Sequence, residues 1–341
     1  MPIQVNTTTA VRYPKPRQRE KYNTKNLIGQ NDEKEYNGYL SESAKKKIRN
    51  LVTNAANALL YTQADGEEYD YIKYRKLEGL SKEQKRVETA IIQNIVESRK
   101  KNLKKTIAMV TLTLPSKQIL TDKEIKRMAL MPFIEKMKYV CGIKLWLWVA
   151  ETQKNGNIHF HIIIDEYIPF VVFDINKTVL FAGTIAQCQK YMQKRDKQKN
   201  LRMANYAEFI WNKILNKIGQ MDDFKAKYRH TNPPSTKIEW IRNQEKAGAY
   251  ISKYISKNDK TGRKIDGRLW GASDQLKQLK GIEIEQDDVK EVLKELHENA
   301  TVIFENEYVT AWGFNIMDCP SIHGIVMTKY SEILTRVYKD T

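Results

Sequence analysis

Asn157-Ile158-His159-Phe160-His161-Ile162-Ile163-Ile164-Asp165 is the stretch whose reading decides the fold. Side chains at i and i+2 of a strand point the same way. As a strand, it therefore puts His159, His161 and Ile163 on one face and Ile158, Phe160 and Ile162 on the other. Ile143–Glu151 reads as a second strand, and the connecting Thr152–Gly156 ends in Asn155-Gly156, a strong hairpin signal. Glu151 then ends its strand across the hairpin from His159. Thr106–Leu114 reads as a further strand stopped by Pro115, with Thr111 and Thr113 on one face. These hairpin-linked strands, with helical patterns around them, predict an α+β fold: a central antiparallel sheet flanked by helices.

Working outward, Thr121 is positioned to cap a helix reaching about Val140. Phe170–Phe181 resembles a short hairpin around Asp174-Ile175-Asn176, and residues from Thr184 to Gly219 follow a helical pattern. The breaker Asn232-Pro233-Pro234 precedes a strand at Thr236–Ile241 and a helix at about Gln244–Lys257. Upstream, residues 1–40 read as a basic, weakly ordered arm with Pro14 and Pro16 among Arg12, Lys15, Arg17 and Arg19. Residues 41–104 form a helical N-terminal extension, with a helix capped by Ser41 and another beginning near Ser81. Residues 105–275 make the core. Residues 276–341 are a C-terminal α/β segment packed on it, with a helix near Gln286–Leu296 and β-prone stretches at Thr301–Glu305 and Tyr308–Ile316.

The 341 residues suffice for a substantial core, and 58 Lys+Arg against 41 Asp+Glu give a net charge of +17. A field of that sign favours a polyanionic partner such as nucleic acid, though a solvated basic surface is the equal reading of charge alone. Lys190–Lys199 and Arg12–Arg19 are open to the same two readings. The three cysteines (Cys141, Cys188, Cys319) have neither a disulfide-framework nor a zinc-site spacing, which suits a reducing compartment. No apolar run is long enough to span a bilayer, and the first ten residues lack the core of a signal peptide. A cytoplasmic protein without membrane partners is expected.

Two imidazoles on one strand face can hold a divalent cation, and Glu151 is the obvious carboxylate to join them. A His/His/carboxylate set suits Mg²⁺ or Mn²⁺ acting as a Lewis acid on a phosphate oxygen. Taken alone, His-x-His reads more readily as hydrogen-bonded core histidines. The second informative stretch is Tyr250-Ile251-Ser252-Lys253-Tyr254-Ile255-Ser256-Lys257. On a helix, Tyr250 and Tyr254 share a face, and Lys253 and Lys257 repeat the same spacing beside them. A phenol with a pKa of about 10 is a weak nucleophile near neutrality, and a nearby cation lowers the barrier. Alone, the segment is equally an ordinary basic amphipathic helix. A metal-binding pair together with a tyrosine pair predicts metal-assisted phosphodiester chemistry with tyrosine as nucleophile.

Over roughly Lys105–Ser273 these segments, in this order, resemble the HUH endonuclease superfamily. Within it they resemble rolling-circle replication initiators (Rep proteins) of the two-tyrosine type, found in small single-stranded DNA phages (Microviridae-like) and related plasmids. Thr111-Leu112-Thr113-Leu114-Pro115 looks like the family's first motif, His159-Phe160-His161 its metal motif, and Ala249–Tyr254 its nucleophile motif. Gly267-Arg268-Leu269-Trp270-Gly271 resembles a segment that follows the nucleophile helix. The resemblance implies nicking and rejoining of single-stranded origin DNA through a 5′-phosphotyrosine intermediate, with Tyr250 and Tyr254 alternating. It implies DNA contacts from Thr111, Thr113, Arg268 and Trp270, with flanking duplex, host helicase and host polymerase as partners in a bacterial cytoplasm. No Gly-x-x-x-x-Gly-Lys-Ser/Thr segment is present, so no fused helicase is expected. The alternatives are a relaxase or single-strand transposase of the same superfamily, or a non-catalytic DNA-binding regulator on that fold.

Overall fold

The computed structural model describes residues 3–5, 8–12, 39–62, 107–195, 200–241, 251, 263–305 and 310–339. In chain order the elements begin with β1 (Ile3–Val5), β2 (Thr9–Arg12), α1 (Glu42–Thr62) and β3 (Ala108–Leu112). Then follow α2 (Asp122–Ile125), a π-helical turn (Lys126–Leu130), α3 (Met131–Cys141), β4 (Trp146–Thr152), β5 (Ile158–Ile164), β6 (Phe170–Phe173) and β7 (Val179–Gly183). Next are α4 (Ile185–Arg195), β8 (Arg202–Asn205), α5 (Tyr206–Lys217), α6 (Asp222–Tyr228) and β9 (Thr236–Trp240). The chain ends with β10 (Trp270–Ala272), α7 (Asp274–Gln278), β11 (Ile282–Glu283), α8 (Val289–Asn299), β12 (Thr301–Glu305), β13 (Thr310–Gly313) and α9 (Pro320–Lys339). The fold is α+β, with antiparallel sheets flanked by helices.

The central sheet has the order β10-β4-β5-β3-β9, and every neighbouring pair is antiparallel. Strand β5 lies in the middle and is buried along its whole length, in keeping with a sequence that is apolar except at His159 and His161. The β4–β5 turn closes at Gly156, whose φ of +83° is open to glycine at little cost. Phe160, between the two histidines, points to the opposite face. There it meets Trp148 and Trp211 edge-on at ring separations of 6.2 and 6.4 Å, and Trp211 in turn meets Phe133 of α3. That face is the core under α3 and α5; the histidine face is the other one. Thr121 caps α2 in a full capping box with Glu124, which fixes where the chain turns away from β3.

Three expectations need correction. Residues 1–40 are not wholly a weakly ordered arm. Strands β1 and β2 lie inside a second sheet of order β11-β1-β2-β13-β12, with Ile3, Val5 and Ala10 fully buried. Their partners lie near the other end of the chain, so local composition carried no sign of the pairing. The helical pattern from Thr184 to Gly219 is interrupted: α4 stops at Arg195, and β8 pairs with β6 before α5 begins. Asn205 caps α5 by accepting from the Glu208 N–H, so the strand-to-helix switch is made locally. The C-terminal segment packs not only on the core but into that second sheet, and it ends in α9, a helix the hydrophobic pattern had not suggested; α9 lies against α1, α7 and α8. The helix expected near Ser81 and most of the tyrosine segment lie outside the described residues.

Candidate metal centre

Strand register assembles the site. Glu151 pairs with His159 across β4–β5, and His161 pairs with Val149 on one side and Thr111 on the other. All these side chains share one face, because paired residues in an antiparallel ladder point the same way. His161 Nε2 lies 2.8 Å from Glu151 Oε1, His159 Nε2 lies 3.9 Å from the same oxygen, and the two imidazoles stand 4.7 Å apart. One ligand atom from each of the three residues falls within 4.8 Å of the others. The side chains are 15%, 10% and 4% exposed for Glu151, His159 and His161, so the carboxylate opens the cluster to the outside.

The outer nitrogens are held as well. Thr111 Oγ1 lies 3.2 Å from His161 Nδ1, and Thr113 Oγ1 lies 3.2 Å from His159 Nδ1. When a hydroxyl accepts from Nδ1–H, the Nε2 lone pair is left for a cation; this is the usual outer support of a metal-ligating histidine. Two imidazole nitrogens and one carboxylate oxygen converging in a nearly buried site are a donor set that could hold a metal ion. Thr111 and Thr113, expected as DNA contacts, are hydrogen-bonded to the imidazoles.

The remaining sequence-selected residues are placed as follows. Trp270 pairs with Val149, so it lies in the same cross-sheet row as His161 and Thr111, with the Lys47 ammonium 5.5 Å over its ring. Arg268 is exposed, and its carbonyl accepts from Lys126 Nζ at 2.8 Å. Gly271 lies under Trp148, where a Cβ would come within 2.7 Å of Nε1, so glycine at this position is required by packing. Tyr250, Lys253, Tyr254 and Lys257 lie outside the described residues; within that segment Ile251 is helical and fully buried.

Two groups near the cluster were not read from the sequence. Lys237 of β9 pairs with Thr111, which extends the row Trp270–Val149–His161–Thr111 by a cation on the histidine face of the sheet. The alternation of Thr236–Trp240 carried that signal once the face of β3 was known. Asp122, with a side chain only 3% exposed, is gripped by both Nη atoms of Arg263 at 2.6 Å. Burial alone would raise its carboxyl, but bonds from Arg263, Gln118 and the Asp266 N–H outweigh that and hold it below its ordinary value.

Among the described residues, no helix is long and apolar enough to cross a membrane. No curated protein and no solved structure matches the chain. Residues 107–259, a little under half of the chain, match the family model described as replication-associated protein ORF2/G2P; that stretch runs from β3 through the metal cluster and the tyrosine pair, and the likeness supports a replication initiator.

Proposed function

We propose that this chain is a site-specific DNA nicking and joining enzyme of the HUH type, a rolling-circle replication initiator of the two-tyrosine kind. The observation that carries the reading is the convergence of Glu151, His159 and His161 on one face of the central sheet, within the stretch that resembles a replication-associated family.

Glu151, His159 and His161 would hold the divalent cation, which supplies Lewis-acid polarisation of a phosphate oxygen. Thr111 and Thr113 fix both imidazoles through Nδ1, so the ligand nitrogens need no reorientation when DNA arrives. The phenol oxygen of Tyr250 or Tyr254 attacks the scissile phosphorus and loses its proton. The bond to the 3′ oxygen breaks, and that oxygen takes up a proton to become a free 3′-OH. The 5′ side stays attached to tyrosine as a phosphodiester, so rejoining needs no nucleotide hydrolysis. Lys253 and Lys257 favour the phenolate by charge. A second tyrosine allows a second cut while the first link is being resolved, as termination of a replication round demands. The net charge of +17 supplies sequence-blind, salt-dependent affinity for the phosphate backbone. Trp270, half-buried on the site face, suits stacking on an unpaired base.

The test is incubation with Mn²⁺ and labelled single-stranded oligonucleotides tiled across the replicon's origin, read on a denaturing gel. A covalent adduct that survives either single Tyr→Phe change at 250 or 254 and vanishes in the double variant is expected. No adduct with any strand would leave a non-catalytic DNA-binding regulator as the better reading. His161→Ala should abolish the adduct while DNA affinity changes little; an equal loss of both would remove the metal assignment.

A further inference from the structure

Arg263 stands nine residues after Tyr254 in the sequence and is the first residue described after the tyrosine segment. Its guanidinium makes a three-way junction. Nη1 and Nη2 donate to the two carboxylate oxygens of Asp122 at 2.6 Å each, and Nε donates to the Gly156 carbonyl at 2.6 Å. Gly156 belongs to the turn of the hairpin whose strands carry Glu151 and His159. The junction thus ties three pieces together: the start of α2, the metal-cluster hairpin and the segment leaving the tyrosines.

Neighbouring bonds tighten all three. Gln118 donates to Asp122 Oδ1 at 2.8 Å, and its own carbonyl accepts from the Ile158 N–H at 2.8 Å, next to His159. Asp122 Oδ2 also accepts from the Asp266 N–H at 3.0 Å. Lys126 donates to the carbonyls of Asp266 and Arg268 from the π-helical turn. Lys126 is the first residue of that turn. A surface fastening would be a lone ion pair of little weight. Here the carboxylate is buried, both of its oxygens are used, and a planar fork fills all three directions at once.

We propose that Asp122 and Arg263 are positioning residues that fix the segment following the tyrosines against the turn of the metal-cluster hairpin, and so set how the nucleophile meets the cluster. The inference rests on the nicking reading above. The bonds of the two side chains run to α2, to the hairpin turn and to the segment after the tyrosines, so the expected consequence lies in the rate of attack rather than in metal or DNA affinity. Misplacement of reacting groups by about 1 Å can cost on the order of a hundredfold in rate.

The test compares the unaltered protein with Arg263→Lys and Asp122→Asn, two substitutions that keep size and fold better than truncation. Single-turnover adduct formation at saturating Mn²⁺ and oligonucleotide should fall about ten- to a hundredfold in both. Mn²⁺ affinity and oligonucleotide affinity should stay essentially unchanged. Amide hydrogen exchange over residues 263–268 should rise, because the side chain at 122 that accepts from the Asp266 N–H is no longer held by the guanidinium fork. An unchanged rate would overturn the proposal. So would a rate that falls only as far as metal or DNA affinity falls, since the junction would then merely support the hairpin. An unaltered protein that forms no adduct would instead remove the nicking reading, and the inference with it.

Discussion

At the scale of single residues, the threonines of β3 carry as much of the site as the histidines do. Each hydroxyl sits on an imidazole Nδ1, so replacing it with an isosteric methyl removes the acceptor while keeping the volume. Thr111→Val should therefore weaken Mn²⁺ binding about ten- to a hundredfold, as removal of an outer hydrogen-bond partner generally does; isothermal titration would measure it. A second residue makes a pH prediction. Glu208 of α5 lines a cavity of about 370 Å³ with Phe173, Met203 and Asn232, and burial pushes its carboxyl up to about 7, partly opposed by a bond from the Thr236 backbone. Below its unfolded value the acid is neutral in both states and costs nothing. As pH rises through the range between that value and about 7, only the unfolded chain ionises freely, so stability falls. Glu208→Gln should remove that slope, gaining on the order of 1–2 kcal/mol over the native protein at pH 8 and little at pH 4, by urea unfolding at both. His159, His161 and Glu151 were legible because a period of two and an Asn-Gly turn are local signals. The roles of Thr111 and Thr113 were not, because they depend on β3 lying beside β5.

At the scale of elements, β10 is short yet tightly specified. Gly271 pairs with Trp148, and the indole fills the space a side chain would need, with Nε1 at 2.7 Å and Cε2 at 2.9 Å from a built Cβ. A rigid ring that is itself packed on Phe160 cannot yield cheaply. Gly271→Ala should therefore destabilise the protein by about 1–3 kcal/mol in chemical unfolding, the usual cost of overfilling a packed core. A cost near zero would mean that β10 can lift from the sheet. The sequence had marked this segment by resemblance alone; the packing gives it a physical reason. Elements with strong end signals were well placed, as with α2 behind Thr121 and the β4–β5 hairpin. The interruption at β8 was missed because a four-residue strand between two helical patterns lacks a period of its own.

At the scale of the whole molecule, the two chain ends are built into one sheet. Strand β2 lies between β1 and β13, and β1 also pairs with β11, so the N-terminal strands join elements nearly three hundred residues away. Deleting residues 1–12 should expose the faces against which Ile3, Val5 and Ala10 are buried, remove the strand partner of β11 and leave β13 paired with β12 alone. Each large apolar side chain so lost is worth roughly 1.5–3 kcal/mol. Limited proteolysis followed by mass spectrometry should show cleavage within residues 276–341 while residues 107–241 stay resistant. An unchanged digestion pattern would show that the terminal strands contribute nothing to the C-terminal segment.

The sequence by itself determined the α+β class, the central hairpin, the grouping of Glu151 with His159 and His161, and the tyrosine pair as a sequence feature. These depend on periodicity, turn chemistry and residue type within a few positions, and such information is local. Only the tertiary structure decided that Thr111 and Thr113 face the imidazoles, that Lys237 extends the row beside them, and that the first strands close a sheet with the last. It alone joined Asp122 to Arg263 across 141 residues of chain. Contacts of that kind arise from strand order and burial, which bring distant residues together without leaving a pattern in either neighbourhood.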